Sequence, residues 1–309
     1  MRAIRIASRS SKLALTQTHY IRDALLAISP DLDISVVEIS THGDRDRSDF
    51  LYKSQVQGLF TSEVENALLD ERADIAVHSL KDLPTSGSPE LTVGAIPPRQ
   101  AVSDVLVTLQ SVTGLKDITP GAKVGTSSLR RIAQLKRARP DLDCVPLRGN
   151  VETRVSKVQS GDIDVAVMAC AGLNRLGMED HIAAVLPPEQ FLPAPGQGAL
   201  AVQMRVADAE LAPLIAQLND AESQSTAHAE RMVLAAMHGG CSIPLGVHAR
   251  IQDGSLTIEA MISDVEGKTY IRRSQTCGLD QAQTCATDLA QEMLEAGGRQ
   301  ILDEIRNSS

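Results

Sequence analysis

"ADIAVHSLKDLP", residues 73–84, is a short strand-forming run that ends in a turn. Ile75, Ala76 and Val77 form its apolar centre, Asp74 bounds it in front, and Pro84 closes the turn behind. Ninety positions later, "DVAVMACAGL" (164–173) repeats the D-[IV]-A-V opening and the closing Leu of "DIAVHSLKDL" (74–83). Two buried strands can agree by chance. The alternative is two lobes of one design, with a site in the cleft between them. Outward from this pair, "DISVVEIS" (33–40), "LTVGAI" (91–96), "SDVLVTL" (103–109) and "AKVGTS" (122–127) read as further strands, each bounded by turn residues. Helical stretches alternate with them. Ser62 followed by Glu65 predicts a capping box before "VENALLDE", and Pro140 ends the helix that starts near Ser128. Such alternation implies α/β units whose sheets are covered by helices. "IPPR" (96–99) and "LPAPGQG" (192–198) are placed to be paired crossovers of a hinge. A third unit starts near 221 with "ESQSTAHAERMVLAAM" and continues through "VHARI" and "LTIEAMI" to a C-terminal helix, which predicts a small α+β domain.

The chain has 309 residues, enough for two or three domains, and 43% hydrophobic with 22% charged residues is an ordinary globular balance. Three Phe, three Tyr and no Trp leave the cores aliphatic and remove the base-stacking faces of a nucleic-acid platform. The net charge is −9, yet residues 123–157 hold nine Lys/Arg against three acids. That local excess predicts an anion site in a protein otherwise unsuited to polyanions. Cysteines 144, 170, 241, 277 and 285 are odd in number, and none forms a CxxC pair. This argues for a reducing compartment and against a disulfide framework or metal site. "MRAIRIASRSS" lacks the apolar run of a signal peptide, and no stretch approaches a membrane span, so the expected location is cytoplasmic, with no membrane or nucleic-acid partner.

Three groups of residues carry chemistry. Ser79, Lys81 and Asp82 follow the 74–78 strand, where open α/β sheets place their ligands. Lys81 beside Asp82 reads first as a solvated surface pair. In an arginine-rich cleft, however, Asp82 becomes an acid among cations, suited to proton transfer or to stabilising developing positive charge. Arg9, Arg130, Arg131, Arg148, Arg154 and Arg175 each follow a strand-like or glycine-containing segment. Guanidinium binds carboxylate or phosphate in a two-pronged fashion, so several together suggest a polyanionic ligand. Arg130 with Ser127 and Ser128 at a helix N-terminus adds backbone N–H groups and the helix dipole. Arg137 and Arg139 read as solubilising a helix face. Last, Cys241 lies in "HGGCSIPLG" (238–246), where glycines would let a bulky group approach the sulfur. The other four cysteines lie in or beside apolar runs and read as structural.

Together these motifs resemble porphobilinogen deaminase, also called hydroxymethylbilane synthase. "IASRSSKLAL" (6–15), "ADIAVHSLKDLP", "VGTSSLRR" (124–131), "LRGNVETR" (147–154), "AGLNRLG" (171–177), "LPAPGQGAL" (192–200) and "GGCSIPLG" (239–246) occur in the family's order. The resemblance implies an α/β fold of two similar lobes of periplasmic-binding-protein-like type joined by a double crossover hinge, plus a small C-terminal α+β domain. The expected boundaries are 1–98 with 197–217, then 99–196, then 218–309. It implies a transferase of tetrapyrrole biosynthesis that polymerises porphobilinogen head to tail, with loss of ammonia, on a dipyrromethane cofactor joined by a thioether to Cys241. Hydroxymethylbilane is then released hydrolytically, for uroporphyrinogen-III synthase to use. On the family pattern, Ser79, Lys81, Thr126, Ser127, Ser128, Arg130 and Arg131 hold the cofactor. Arg9, Ser11, Lys53, Arg148, Arg154, Arg175 and Gln197 hold substrate, and the catalytic Asp82 faces the pyrrole N–H groups, assists loss of ammonia and stabilises the cationic intermediates. The expected state is a monomer.

Two stretches depart from the family pattern. "KSQVQGLF" (53–60) keeps Lys53 but has Gln57 in place of a lysine and lacks a glycine pair. "RQAVSDV" (99–105) keeps Arg99 and Asp104 only. The competing reading is a non-catalytic two-lobed anion-binding protein, since α/β lobes with a double crossover also suit solute receptors. The missing signal peptide and the Cys241 loop count against it.

Overall fold

The computed structural model describes residues 3–41, 61–237 and 243–307. By its internal contacts the described chain divides into two units, one of residues 3–41, 61–100 and 198–224, the other of 101–197, 225–237 and 243–307. The first unit contains β1 (Ile4–Arg9), α1 (Lys12–Ile28), β2 (Ile34–Ile39), α2 (Ser62–Leu69), β3 (Ile75–Ser79) and β4 (Leu91–Ala95). The second contains β5 (Asp104–Thr108), β6 (Lys123–Gly125), α3 (Leu129–Ala138), β7 (Asp143–Val145), α4 (Val151–Gln159), β8 (Val165–Ala169), α5 (Cys170–Arg175) and β9 (Ala184–Leu186). The chain then returns to the first unit as β10 (Leu200–Arg205) and α6 (Ala212–Ala216). It continues through α7 (Ala221–Ala236), β11 (Leu245–Gln252), β12 (Ser255–Ser263), β13 (Tyr270–Gly278), α8 (Ala282–Met293) and α9 (Arg299–Asn307).

The first unit is a mixed sheet of order β2-β1-β3-β10-β4, in which β1, β2 and β3 are parallel and β10 runs antiparallel to both its neighbours. The second unit repeats this plan as β7-β6-β8-β5-β9, with β5 antiparallel to β8 and β9. The sequence echo falls on the corresponding strands β3 and β8. Its shared aspartate has one job in both: Asp74 Oδ2 accepts the Arg5 N–H at 2.9 Å, and Asp164 Oδ2 accepts the Lys123 N–H at 2.7 Å. Each carboxylate clips the start of the neighbouring parallel strand. The repeated letters therefore mark a shared way of building a sheet.

Alternation along the strands feeds two cores per sheet. Ile4 and Ile6 of β1 join Ile21 and Leu25 of α1 on one face, while Ala7 joins Val64 and Leu68 of α2 on the other. In the second unit Leu106, Val124 and Val165 pack with Leu135 of α3, and Val105, Val107 and Ala166 pack with Val155 and Val158 of α4. Ile21 and Leu25 are wholly buried; each contributes roughly 1.5–3 kcal/mol from burial. α1 starts where Ser11 Oγ accepts the Ala14 N–H. The predicted capping box at Ser62 does not form. Thr61 is the N-cap residue, and Glu65 instead accepts a 2.9 Å hydrogen bond from Gln203 Nε2 of β10. A partner far away in sequence outcompeted the local motif.

The C-terminal part of the second unit is an antiparallel sheet, β11-β12-β13, backed by helices. Leu256, Ile258, Ala260 and Ile262 alternate into one core with Val233 of α7, Leu289 of α8 and Leu302 of α9. This part grips the returning crossover. Val247 N–H donates to Pro193 O at 3.0 Å, and the buried Glu230 carboxylate accepts the N–H groups of Gly196 and Ala249 at 2.7 and 2.8 Å. Gly246 lies so close to Leu192 that a Cβ would come 2.8 Å from the Leu192 Cβ.

Candidate active site

The candidate residues of the first unit gather at the carboxyl ends of its parallel strands. Arg9 ends β1 and Ser79 ends β3, and the next turn, Leu80–Asp82, carries Lys81 and Asp82, both half-buried. Ser79 is held by Gln17 of α1, which donates to its Oγ at 3.0 Å. Ser11 is committed in part to capping α1. Beneath them sits His78, buried and paired with the Gln203 amide oxygen at 3.0 Å. Burial pushes its pKa down to about 4; the Gln203 hydrogen bond opposes that shift, and the Arg9 charge adds to it.

In the second unit the pattern recurs. Thr126, Ser127 and Ser128 follow β6, Arg148 follows β7, and Arg175 closes the helix that follows β8. Ser127 Oγ donates to Leu147 O and accepts the Leu147 N–H, both at 3.1 Å, so the two strand-end loops are stitched together. Gly149 has φ +108°, a conformation open chiefly to glycine, and this turn lets Asn150 cap α4 by accepting the Thr153 N–H at 2.9 Å. Arg154 is then drawn back, its Nε donating to Gly149 O at 2.8 Å.

Arg130 and Arg131 lie in the first turn of α3, whose N-cap residue Ser128 makes no side-chain cap and whose first turn holds no acid. Both guanidiniums are buried and converge on Asp104, at 2.7 Å each. Gln197 joins the node, its Nε2 donating to Asp104 Oδ1 at 3.0 Å and to Val102 O at 2.7 Å. Burial alone would raise the Asp104 carboxyl; the Arg130 and Arg131 charges outweigh it and hold the group well below the usual carboxylate range. The two arginines differ in what they keep in reserve. Arg131 commits Nε, Nη1 and Nη2 to Asp104 and Val167 O. Arg130 sends Nη1 to Asp104 and Leu192 O, and among the described residues its Nε and Nη2 donate to nothing.

Asp104 is the organising residue that the sequence pattern did not single out as part of the site. Its only signal was its survival within the altered "RQAVSDV" stretch. Arg139, expected merely to solubilise a helix face, donates to Asp141 and to the carbonyls of Leu115, Lys116 and Ile118. Arg137 lies over the Tyr270 ring at 4.2 Å. Lys53, Gln57 and Cys241 lie outside the described residues. Among the described residues no cluster of three or more His, Cys, Asp or Glu side chains could hold a metal. None of their helices is long and apolar enough to cross a membrane.

Two mixed sheets of one strand order, with guanidinium, ammonium and hydroxyl groups at their strand ends, define an α/β protein equipped for a carboxylate-rich ligand. That donor set fits a dipyrromethane, whose pyrroles carry an acetate and a propionate each. The "Porphobilinogen deaminase, dipyromethane cofactor binding domain" family matches residues 4–213, and "Porphobilinogen deaminase, C-terminal domain" matches residues 225–295. A porphobilinogen deaminase of Syntrophobacter fumaroxidans is 40% identical over 98% of both chains, and one of Maridesulfovibrio salexigens is 41% identical over 99% of both. A solved structure, the periplasmic VFT2 domain of Bordetella pertussis BvgS, is 16% identical with a TM-score of 0.42, covering 70% of this chain and 86% of its own. The chain belongs to the porphobilinogen deaminase family, and it is a transferase with a dipyrromethane cofactor and porphobilinogen as substrate.

Proposed function

We propose that Asp82 is the catalytic carboxylate of this deaminase and that the strand-end cations divide the carboxylates of cofactor and substrate among them. The observation that carries this reading is positional: in each unit, the candidates stand at the carboxyl ends of the parallel strands or on the turns and helices that follow. On this reading Cys241 anchors the cofactor, and Ser79, Lys81, Thr126, Ser127, Ser128 and Arg130 hold its carboxylates. Arg131 belongs with them, and it also fixes the N-terminal turn of α3 through Asp104. Arg9, Ser11, Lys53, Arg148, Arg154, Arg175 and Gln197 serve the incoming substrate and the growing chain. When bound, the dipyrromethane supplies the terminal pyrrole carbon on which the first porphobilinogen is added.

Asp82 accepts a hydrogen bond from the substrate pyrrole N–H and offsets the positive charge that develops as the aminomethyl nitrogen leaves as ammonia. Lys81, one residue away, keeps a carboxylate of the ligand close to that acid. The boundaries proposed for the three domains are 1–98 with 197–217, 99–196 and 218–309. The enzyme works as a cytoplasmic monomer and releases hydroxymethylbilane for uroporphyrinogen-III synthase.

The test is an Asp82 series. Asp82→Glu keeps the charge but moves it by a methylene, and misplacement by about an ångström can cost roughly a hundredfold. Asp82→Asn keeps the shape and loses the charge. Porphobilinogen consumption, normalised to cofactor-loaded protein by intact mass, should fall from wild type to Glu to Asn. Asn matching or exceeding Glu would remove Asp82 from the chemistry.

A further inference from the structure

β13 passes into α8 through Gly278 and a single turn, Leu279–Gln281, so the helix packs back over the strand it leaves. Two contacts fix how strand and helix face each other. Arg273 Nε lies 3.0 Å from Glu292 Oε1, and Gln275 Nε2 donates to Glu292 at 3.3 Å. Alternate strand residues share a face, so Cys277 continues the row of 273 and 275 toward the start of the helix. There Cys285 stands about two turns before Glu292. Cys277 accordingly packs on the buried core that contains Cys285, and its thiol bears on that of Cys285. Both are free thiols, Cys277 half-buried and Cys285 buried. Neither is among the residues proposed for the deamination.

We infer that Cys277 and Cys285 are a redox pair that closes into an intramolecular disulfide when the protein meets a peroxide. Burial, reinforced by the Cys277 thiol beside it, pushes the Cys285 thiol up to about 12, so Cys285 stays protonated while the more accessible Cys277 reacts first. The Cys277 sulfur attacks one peroxide oxygen and the O–O bond breaks, giving a sulfenic acid and one water. The Cys285 sulfur then attacks the sulfenic sulfur; the S–S bond forms, the S–O bond breaks, and the Cys285 proton leaves with the departing oxygen as a second water. Two thiols are oxidised and one hydrogen peroxide is reduced to two waters. The product staples β13 to α8 across a short loop and restricts the unfolded chain, so the oxidised protein should melt at a higher temperature.

The cofactor-loaded protein is treated with hydrogen peroxide, denatured in N-ethylmaleimide and cut with trypsin without reductant. Cleavage after Arg273 and Arg299 leaves both cysteines on one peptide, 274–299. The expected peptide is lighter by two hydrogens, carries no maleimide, and takes up two after reduction. The thermal midpoint of the intact protein should rise on oxidation and return with dithiothreitol. In Cys277→Ser that rise should vanish and Cys285 should label fully. In Cys285→Ala, Cys277 should stop at the sulfenic acid, trapped by dimedone. Should Cys285→Ala fail to fold, the wild-type peptide and Cys277→Ser still decide the matter. Two maleimides on the peroxide-treated wild-type peptide, or Cys277 bonded to a different cysteine, would overturn the pairing.

Discussion

At Asp104 two guanidinium groups and one amide meet a fully buried carboxylate, and its partners stand 26, 27 and 93 positions away. Distances of that kind explain what the sequence withheld. Arg130 and Arg131 advertise themselves by type and by a helix start, whereas an acid at the start of a strand says nothing of which cations it will meet. His78 was equally silent, since its letters are those of any strand residue. Its folded pKa of about 4 lies below the ordinary 6.5, which sets the sign of a pH effect. As pH falls below 6.5 the unfolded chain binds the proton first, so stability present above 6.5 is lost progressively until the folded value is reached. The slope is about 1.4 kcal/mol per pH unit per proton. His78→Gln keeps a partner for Gln203 and cannot titrate. Its unfolding free energy, from urea melts at neutral and mildly acidic pH, should lose roughly 2–3 kcal/mol less than wild type over that window. Equal slopes for the two proteins would mean that His78 is not neutral in the fold.

Elements were legible in proportion to their apolar content. β3, β5 and β8 are nearly all buried and could be read directly, and the helix at 221 starts where its letters say. β13 could not: of its nine residues only Ile271 is buried, the others being exposed or half-exposed. β7 and β9 are three residues each, too short to show a period. Yet the β12–β13 hairpin bears on the proposed site. Gly267, at φ +71°, meets the backbone of α3: a Cβ there would come 2.5 Å from Ala133 O and 2.7 Å from Arg137 N. The helix that displays Arg130 is thus seated against the C-terminal hairpin, with Arg137 stacked on Tyr270 beside it. Gly267→Ala cannot be relieved by a flexible side chain, because the neighbours are main-chain atoms. It should cost about 1–3 kcal/mol, read as a lower thermal midpoint. The cofactor-loaded fraction by intact mass should fall with it. An unchanged midpoint and full loading would show that the hairpin does not set the position of α3.

Over the whole molecule the charge is divided unequally. The chain carries −9, while residues 123–157 carry nine basic side chains against three acids. Part of that positive charge is internally spent: Arg130 and Arg131 are paired with Asp104, and Arg139 with Asp141. The half-buried Arg148, Arg154 and Arg175 stand on turns and helix ends that follow the parallel strands. A porphobilinogen arrives with two carboxylates and one amine, but the nitrogen leaves as ammonia, so every added unit leaves two negative charges behind. If these arginines hold the growing chain as proposed, attraction to them grows with chain length, and dissolved salt should oppose the later additions more than the first. Exposed charges are screened beyond about 10 Å at 0.1 M salt, whereas buried pairs are screened much less. Raising salt from about 0.02 M to about 0.3 M shortens the screening length severalfold. Turnover of porphobilinogen should drop, and intact masses sampled during reaction should pile up at short additions, while the thermal midpoint barely moves because the Asp104 node is buried. If the distribution of added units were the same at both salt concentrations, steering by the basic segment would not govern elongation, and short-range hydrogen bonds would have to carry it alone.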